Sequence, residues 1–111
     1  MILCVPVTTM GEVDPRWGRA GRIAVAEVVG GKVQSWDEFE VGWDRLRDDR
    51  GEGSHHARVA RFVQEHRASI VVAAHMGDPM LQTLRGLDVD VRLGVSGDAR
   101  QAVLAAAARI D

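Results

Sequence analysis

Short apolar runs separated by glycine and polar residues dominate the first part of the chain. Residues 2–7 are almost wholly apolar, which is typical of a strand buried on both faces. Residues 23–29 predict a second strand, and Gly30-Gly31 predicts a two-residue hairpin turn, because glycine adopts the positive φ that such turns need. Residues 32–41 are more polar, so we expect them to return as a third strand at the sheet edge.

Two segments of the first half lack apolar periodicity. Residues 8–19 contain Gly11, Asp14-Pro15 and Gly18, so they predict a loop. Residues 42–53 carry a dense run of acidic and basic side chains, which predicts an exposed connection.

Helical spacing governs the second half. Ser54 is the expected N-cap of a helix over residues 55–67, with His55 at the top of its apolar stripe. Gly77-Asp78-Pro79 predicts a second helix start, with Asp78 as N-cap and Pro79 at the first helical position. Ser96-Gly97-Asp98 predicts the opening of a third helix. The expected stripes are Val59, Phe62, Val63 and His66 in the first helix, Met80, Leu81 and Leu84 in the second, and Ala99, Val103, Ala106, Ala107 and Ile110 in the third.

Strands over residues 69–74 and 89–95 complete the pattern. The resulting order is β-β-β-α-β-α-β-α, which predicts a single α/β domain over residues 1–111 with a mixed five-stranded sheet and flanking helices. We expect the first, fourth and fifth strands to be parallel, because helices connect them through right-handed crossovers.

Composition narrows the class of protein. The formal net charge is -2, so no basic field predicts nucleic acid as a partner. No apolar run is long enough to span a bilayer and no signal segment opens the chain, so we expect a cytoplasmic protein without membrane contact. The single cysteine, Cys4, lies within the first apolar run and is predicted to be an inert core residue.

A glycine-centred loop motif, Arg16-Trp17-Gly18-Arg19-Ala20, follows the first strand. His55 near the first helix start, Gly77 after the next strand and the turn Gly94-Val95-Ser96-Gly97 follow in order. With these motifs the whole chain resembles the dinitrogenase iron–molybdenum cofactor biosynthesis domain family. The resemblance implies a ribonuclease-H-like topology and the binding of an iron–sulfur or iron–molybdenum-type cluster.

One position departs from the family pattern. The resemblance implies a histidine where this chain has Arg16, and a guanidinium does not ligate iron. Arg16 and Arg19 can instead pair with an anionic cofactor, while Trp17 supplies a flat face and Gly18 permits close approach. The alternative is that Trp17 packs as a core lid, Arg19 pairs locally and Gly18 only permits the turn.

The residues that follow two predicted parallel strands are candidates for binding a cofactor or metal. His75-Met76 and Ser96-Gly97 come at the carboxyl ends of predicted parallel strands, where open α/β sheets collect ligands. We therefore expect Arg16, Trp17, Gly18, Arg19, Ser96 and Gly97 to line a cofactor pocket, with His55 and His75 as candidate metal ligands. The alternatives are that His55 bonds a backbone carbonyl and that His75 faces solvent.

These patterns lead to two functional hypotheses. The first is a non-enzymatic protein that binds a metal–sulfur cluster or escorts it between donor and acceptor proteins. Because few protein ligands would hold the cluster, two chains could share it as a homodimer. The second is a protein-interaction or small-anion-binding module that has lost cluster binding. A metal-dependent nuclease is not expected, because the first strand carries no acidic residue.

Overall fold

Five strands form one mixed sheet in the computed structural model, which describes residues 1–46 and 52–108. The strands are β1 (Ile2–Pro6), β2 (Arg22–Val29), β3 (Lys32–Glu40), β4 (Ile70–Val72) and β5 (Asp90–Arg92). Their spatial order is β3-β2-β1-β4-β5. The strands β1, β4 and β5 are parallel, and β2 is antiparallel to β1 and β3. The predicted mixed five-stranded α/β sheet is confirmed, while the ribonuclease-H-like label stays a prediction.

Three helices cover the two faces of the sheet. They are α1 (Glu52–Glu65), α2 (Asp78–Arg85) and α3 (Ala99–Ala108). Residues of α1 and α2 pack with one side of the strands, which we call the α1/α2 face. Residues of α3 pack with the other side, the α3 face. Along β1, Leu3 and Val5 belong to the α3 face and Cys4 to the α1/α2 face, so this strand is buried on both sides as its apolar run predicts.

The β2–β3 hairpin turns at Gly30 and Gly31, whose φ angles are 59° and 78°. Both angles lie in the left-handed region, which confirms the predicted role of the two glycines. The strand β3 lies at the sheet edge, as expected from its polar sequence.

The helix starts differ from the predictions. The helix α1 begins at Glu52, so Ser54 lies inside its first turn and is not the N-cap. The N-cap of α2 is Gly77, which places Asp78 at the first helical position. Acidic residues are favoured both at the cap and in the first turn, so the sequence pattern alone does not separate the two positions.

The charged connection was only partly predicted. A short 3-10 helix, Trp43–Arg45, follows β3, and Trp43 is buried in the α1/α2 face. The prediction that residues 42–53 are wholly exposed is therefore wrong at Trp43. The exposure predicted for residues 47–53, and the place of Ile110 in the stripe of the third helix, lie outside what the structure describes.

Candidate functional site

A cavity of about 360 Å³ opens at the carboxyl ends of the parallel strands β1 and β4. Its walls come from the first loop (residues 7–21), the start of α1, and the connection between β4 and α2. The lining residues are Arg16, Trp17, Gly18, Arg19, His55, His56, His75, Met76, Gly77, Pro79 and Met80. The structure thus brings the predicted loop residues together with His55 and His75 at the carboxyl ends of the strands, where open α/β sheets commonly bind ligands.

Positive charge dominates the cavity lining. Two guanidinium groups, those of Arg16 and Arg19, line it, and none of its described lining residues is a carboxylate. The side chain of Arg19 is fixed in part by donation from its terminal nitrogen Nη1 to the carbonyl of Leu46, at 3.2 Å. This arrangement can attract an anion to the cavity.

Arg16 is held by a buried acid. Asp14 is only 5% exposed, and its Oδ1 accepts the backbone N–H of Arg16 at 2.9 Å and the side-chain Nε–H at 3.3 Å. The second oxygen, Oδ2, accepts from Nη2 of Arg16 at 3.4 Å. The hydrogen bond to Asp14, with its negative charge, raises the pKa of Arg16 above its ordinary value, so the guanidinium stays charged. Because most of the Arg16 side chain is exposed, the main effect of Asp14 is to fix the loop backbone.

His55 has both ring nitrogens in hydrogen bonds. Its Nε2 lies 2.6 Å from the carbonyl oxygen of Gly18, and its Nδ1 lies 3.0 Å from Nη1 of Arg58. The residue is buried, with 8% of its surface exposed. No lone pair of His55 therefore points freely into the cavity, and the geometry matches the alternative of a helix-start histidine bonded to a backbone carbonyl.

Aromatic side chains form the floor behind the loop. The rings of Trp17 and Trp43 pack edge to face with centroids 5.8 Å apart, and each residue is 2% exposed. Trp43 also packs against the rings of His55 and Phe62. The buried indole Nε1 of Trp17 has no hydrogen-bond partner among the described residues. Trp17 thus has both expected roles, since it is a core lid and a cavity wall.

Sulfur and imidazole supply the remaining cavity donors. Met76 and Met80 are buried, His56 is half-buried and His75 is exposed. Within residues 1–46 and 52–108, no group of three or more His, Cys, Asp or Glu side chains could hold a metal ion. Cys4 does not add a ligand, because burial raises the pKa of its thiol to about 12. A cluster could therefore be held here by charge and soft contacts, with at most one or two protein ligands.

Ser96 and Gly97 do not join the cavity. Because α3 packs on the opposite face from α1 and α2, the turn after β5 crosses to that face. There the carbonyl of Gly97 accepts the N–H of Val13 at 2.8 Å. Ser96 lines a separate groove with Arg92 and residues of α3. The expectation that Ser96 and Gly97 share the rim with Arg16 and His75 is not what the structure shows.

Sequence reasoning missed Asp14, Trp43 and Met80 as parts of the site. The sequence pattern predicts Asp14 only as a loop residue before a proline, although an aspartate side chain commonly accepts the backbone N–H two residues further on, here that of Arg16. The charged residues that surround Trp43 in the sequence predict an exposed segment, so its burial was not expected. A tryptophan is rarely left in solvent, and that was the available signal.

The family model described as dinitrogenase iron-molybdenum cofactor matches residues 1–109, so the chain belongs to this family. A comparison with curated proteins finds no match. The predicted family resemblance is confirmed.

Solved structures share the fold at low sequence identity. The protein PH0822 is 21% identical with a TM-score of 0.76, over 96% of this chain and 88% of that one. The apo form of the orange protein from Desulfovibrio gigas is 19% identical with a TM-score of 0.72, over 92% and 82% of the two chains. A putative NifB protein from Thermotoga is 19% identical with a TM-score of 0.70, over 97% and 88%. No helix within the described part of the chain has the length and apolar character needed to cross a bilayer.

Proposed function

We propose that this chain is a non-enzymatic accessory protein that binds an anionic metal–sulfur cluster and passes it between donor and acceptor proteins. Membership of the iron-molybdenum cofactor family and the structural likeness to a putative NifB protein support the accessory role. The observation that carries the proposal is the cavity lining, which combines two arginines and two buried methionines and includes no described carboxylate.

Each part of the lining has a chemical task in this proposal. Arg19 supplies most of the positive charge that offsets a cluster's negative charge, and Arg16 adds to it although Asp14 already balances part of the Arg16 charge. The thioethers of Met76 and Met80 form polarizable walls suited to sulfide. Of the two predicted metal ligands, His55 has both ring nitrogens in hydrogen bonds, whereas the imidazole of exposed His75 has no partner among the described residues. His75 is therefore the candidate for direct ligation.

A second candidate function is binding of a small anion without a cluster. It is favoured by Arg16 at the position where the family resemblance implies a histidine, and by the lack of a three-ligand group in the described residues. The same two guanidinium groups would then bind a simple oxyanion.

Anaerobic reconstitution with ferrous iron and sulfide tests the first candidate. The protein peak from gel filtration is analysed for iron, sulfide, visible absorption and apparent mass. We expect iron to co-elute with the protein, and the apparent mass to show whether two chains share one cluster. The variant Arg19→Gln removes one positive charge from the cavity lining and should lower the amount of iron retained by the protein several-fold. The matched control Arg61→Gln removes an exposed charge of α1 that does not line the cavity, and should retain as much iron as the wild type.

A colourless, iron-free wild-type peak would contradict binding of simple iron–sulfur clusters. The second candidate then predicts that sulfate or phosphate raises the unfolding temperature, and that Arg19→Gln removes this stabilisation. His75→Ala distinguishes ligation from charge. If it loses iron while Arg19→Gln does not, the cluster is ligated by imidazole and the charge-based account is wrong.

A further inference from the structure

We propose that His55 and Arg58 are positioning residues that hold the loop wall of the cavity at Gly18. In this role the imidazole keeps Trp17 and Arg19, the two neighbours of Gly18, in place for a ligand and does not itself touch a metal. The consequence for ligand binding rests on the proposed function, whereas the effect on the loop is measurable with no ligand present.

The hydrogen-bond partners determine the tautomer of His55. An arginine side chain can only donate, so Nδ1, which lies 3.0 Å from Nη1 of Arg58, must accept. A carbonyl oxygen can only accept, so Nε2, which lies 2.6 Å from the oxygen of Gly18, must carry the hydrogen. Both bonds are satisfied together only in the neutral ring with its proton on Nε2. Arg58 therefore fixes the ring orientation that lets His55 donate to the loop.

Two side chains beside Gly18 have contacts of their own, since Arg19 donates to the carbonyl of Leu46 and Trp17 packs on Trp43, but neither contact holds the backbone at Gly18. Asp14 holds the start of the loop through the backbone N–H of Arg16. Beyond that point, Ala20 donates to the carbonyl of Trp17 at 3.3 Å, a long hydrogen bond. The bond from His55 is the short link between this stretch and α1. Because His55 is buried and Gly18 is half-buried, loss of this hydrogen bond leaves the Gly18 carbonyl without its partner, so removing the donor should loosen residues 17–20.

The position of Gly18 agrees with this role. A Cβ built at Gly18 would lie 3.7 Å from Nε2 of His55, which is an ordinary van der Waals distance. Glycine is thus not required here to make room for the imidazole, and the His55 contact does not depend on a strained backbone.

Amide hydrogen exchange without ligand tests the positioning role. His55→Leu removes the donor and keeps an apolar side chain, and His55→Gln supplies an amide N–H that can replace Nε2. We expect the buried amide of Ala20 to exchange about tenfold faster in His55→Leu, measured relative to amides of β1, which report global opening. His55→Gln should stay within about twofold of the wild type, as rescue by a conservative donor requires.

Substitution of Arg58 gives an independent test of the positioning role, because Arg58 is exposed and its replacement leaves the core intact. Arg58→Met should speed exchange at Ala20 less than His55→Leu does, while Arg61→Met, one turn further along α1, should leave it unchanged. Unchanged exchange at Ala20 in His55→Leu would overturn the proposal.

Nitrogen-15 NMR of labelled histidine tests the tautomer in the ligand-free protein. We expect Nε2 of His55 to carry the hydrogen and Nδ1 to be unprotonated. Iron retention then separates positioning from ligation: His55→Gln should retain iron, whereas equal iron loss in His55→Gln and His55→Leu would identify a metal ligand and overturn the positioning role. If the wild type retains no iron but the exchange results hold, the positioning role stands and the proposed cluster binding fails.

Discussion

The two faces of the sheet differ in the chemistry of their buried side chains. The buried residues of the α3 face are all aliphatic, whereas those of the α1/α2 face include two tryptophans, two methionines and a cysteine. The cavity lined by the predicted loop motif lies on the α1/α2 face. Methionine thioethers and tryptophan rings offer polarizable surface to a ligand, whereas valine, leucine and alanine contribute close packing alone. One face thus mainly stabilises the fold, and the other combines stability with a candidate site.

The largest expected effect falls on the α1/α2 face. Trp43 packs against Trp17, His55 and Phe62, so it joins the cavity floor to α1. Trp43→Ala should lower the free energy of unfolding by about 3–5 kcal/mol, because a large buried ring is replaced by a void. Urea denaturation measures this change. A loss below about 1 kcal/mol would contradict the placement of Trp43 in the core.

A slightly smaller effect is expected on the α3 face. Leu3 is 0% exposed and packs in the aliphatic cluster. Leu3→Ala should lower the free energy of unfolding by about 2–4 kcal/mol. At a temperature where the variant stays folded, it should retain as much iron as the wild type. If Leu3→Ala and Arg19→Gln lose iron to the same extent, the two faces are not functionally distinct.

Much of this comparison could be predicted from the sequence. Alternating burial along β1 and the stripe of Val59 and Val63 follow from strand and helix periodicity, which is a local property of the chain. The partners of His55 and the course of the turn at Ser96 depend on which face each helix covers. That choice is made by tertiary packing, so the sequence pattern placed Ser96 at the wrong rim and left both roles of Trp17 open.

Asp14 tests the link between the loop and the cavity with a more modest effect. Asp14→Ala removes the acceptor for the backbone N–H of Arg16 and should lower the free energy of unfolding by about 1–2 kcal/mol. Asp14→Asn keeps a side-chain oxygen at nearly the same place and serves as the matched control. Thermal unfolding of the two variants checks this, and equal destabilisation would show that charge, not the backbone bond, is what Asp14 supplies.

Cys4 should give the smallest effect, and only in alkaline solution. Burial raises the pKa of its thiol from 9.0 to about 12, so the folded state keeps the proton over a range in which the unfolded chain loses it. The unfolding free energy is therefore independent of this group below pH 9 and falls as the pH rises from 9 towards 12. Urea denaturation at pH 8 and pH 10, about one unit either side of the ordinary pKa, should show a decline in the unfolding free energy that is smaller in Cys4→Ala. An equal decline in both proteins would show that the thiol is not the titrating group.

The most direct test of cluster binding at this cavity is a map of paramagnetic line broadening in two-dimensional nitrogen–proton NMR spectra of the iron–sulfide-loaded protein. We expect broadening of amides in residues 16–19, 55–56, 75–78 and 80, with sharp signals for Leu3, Val103 and the Ser96–Gly97 turn. Broadening centred on that turn or on α3, or spectra unchanged by loading, would contradict the assignment of cluster binding to the cavity on the α1/α2 face.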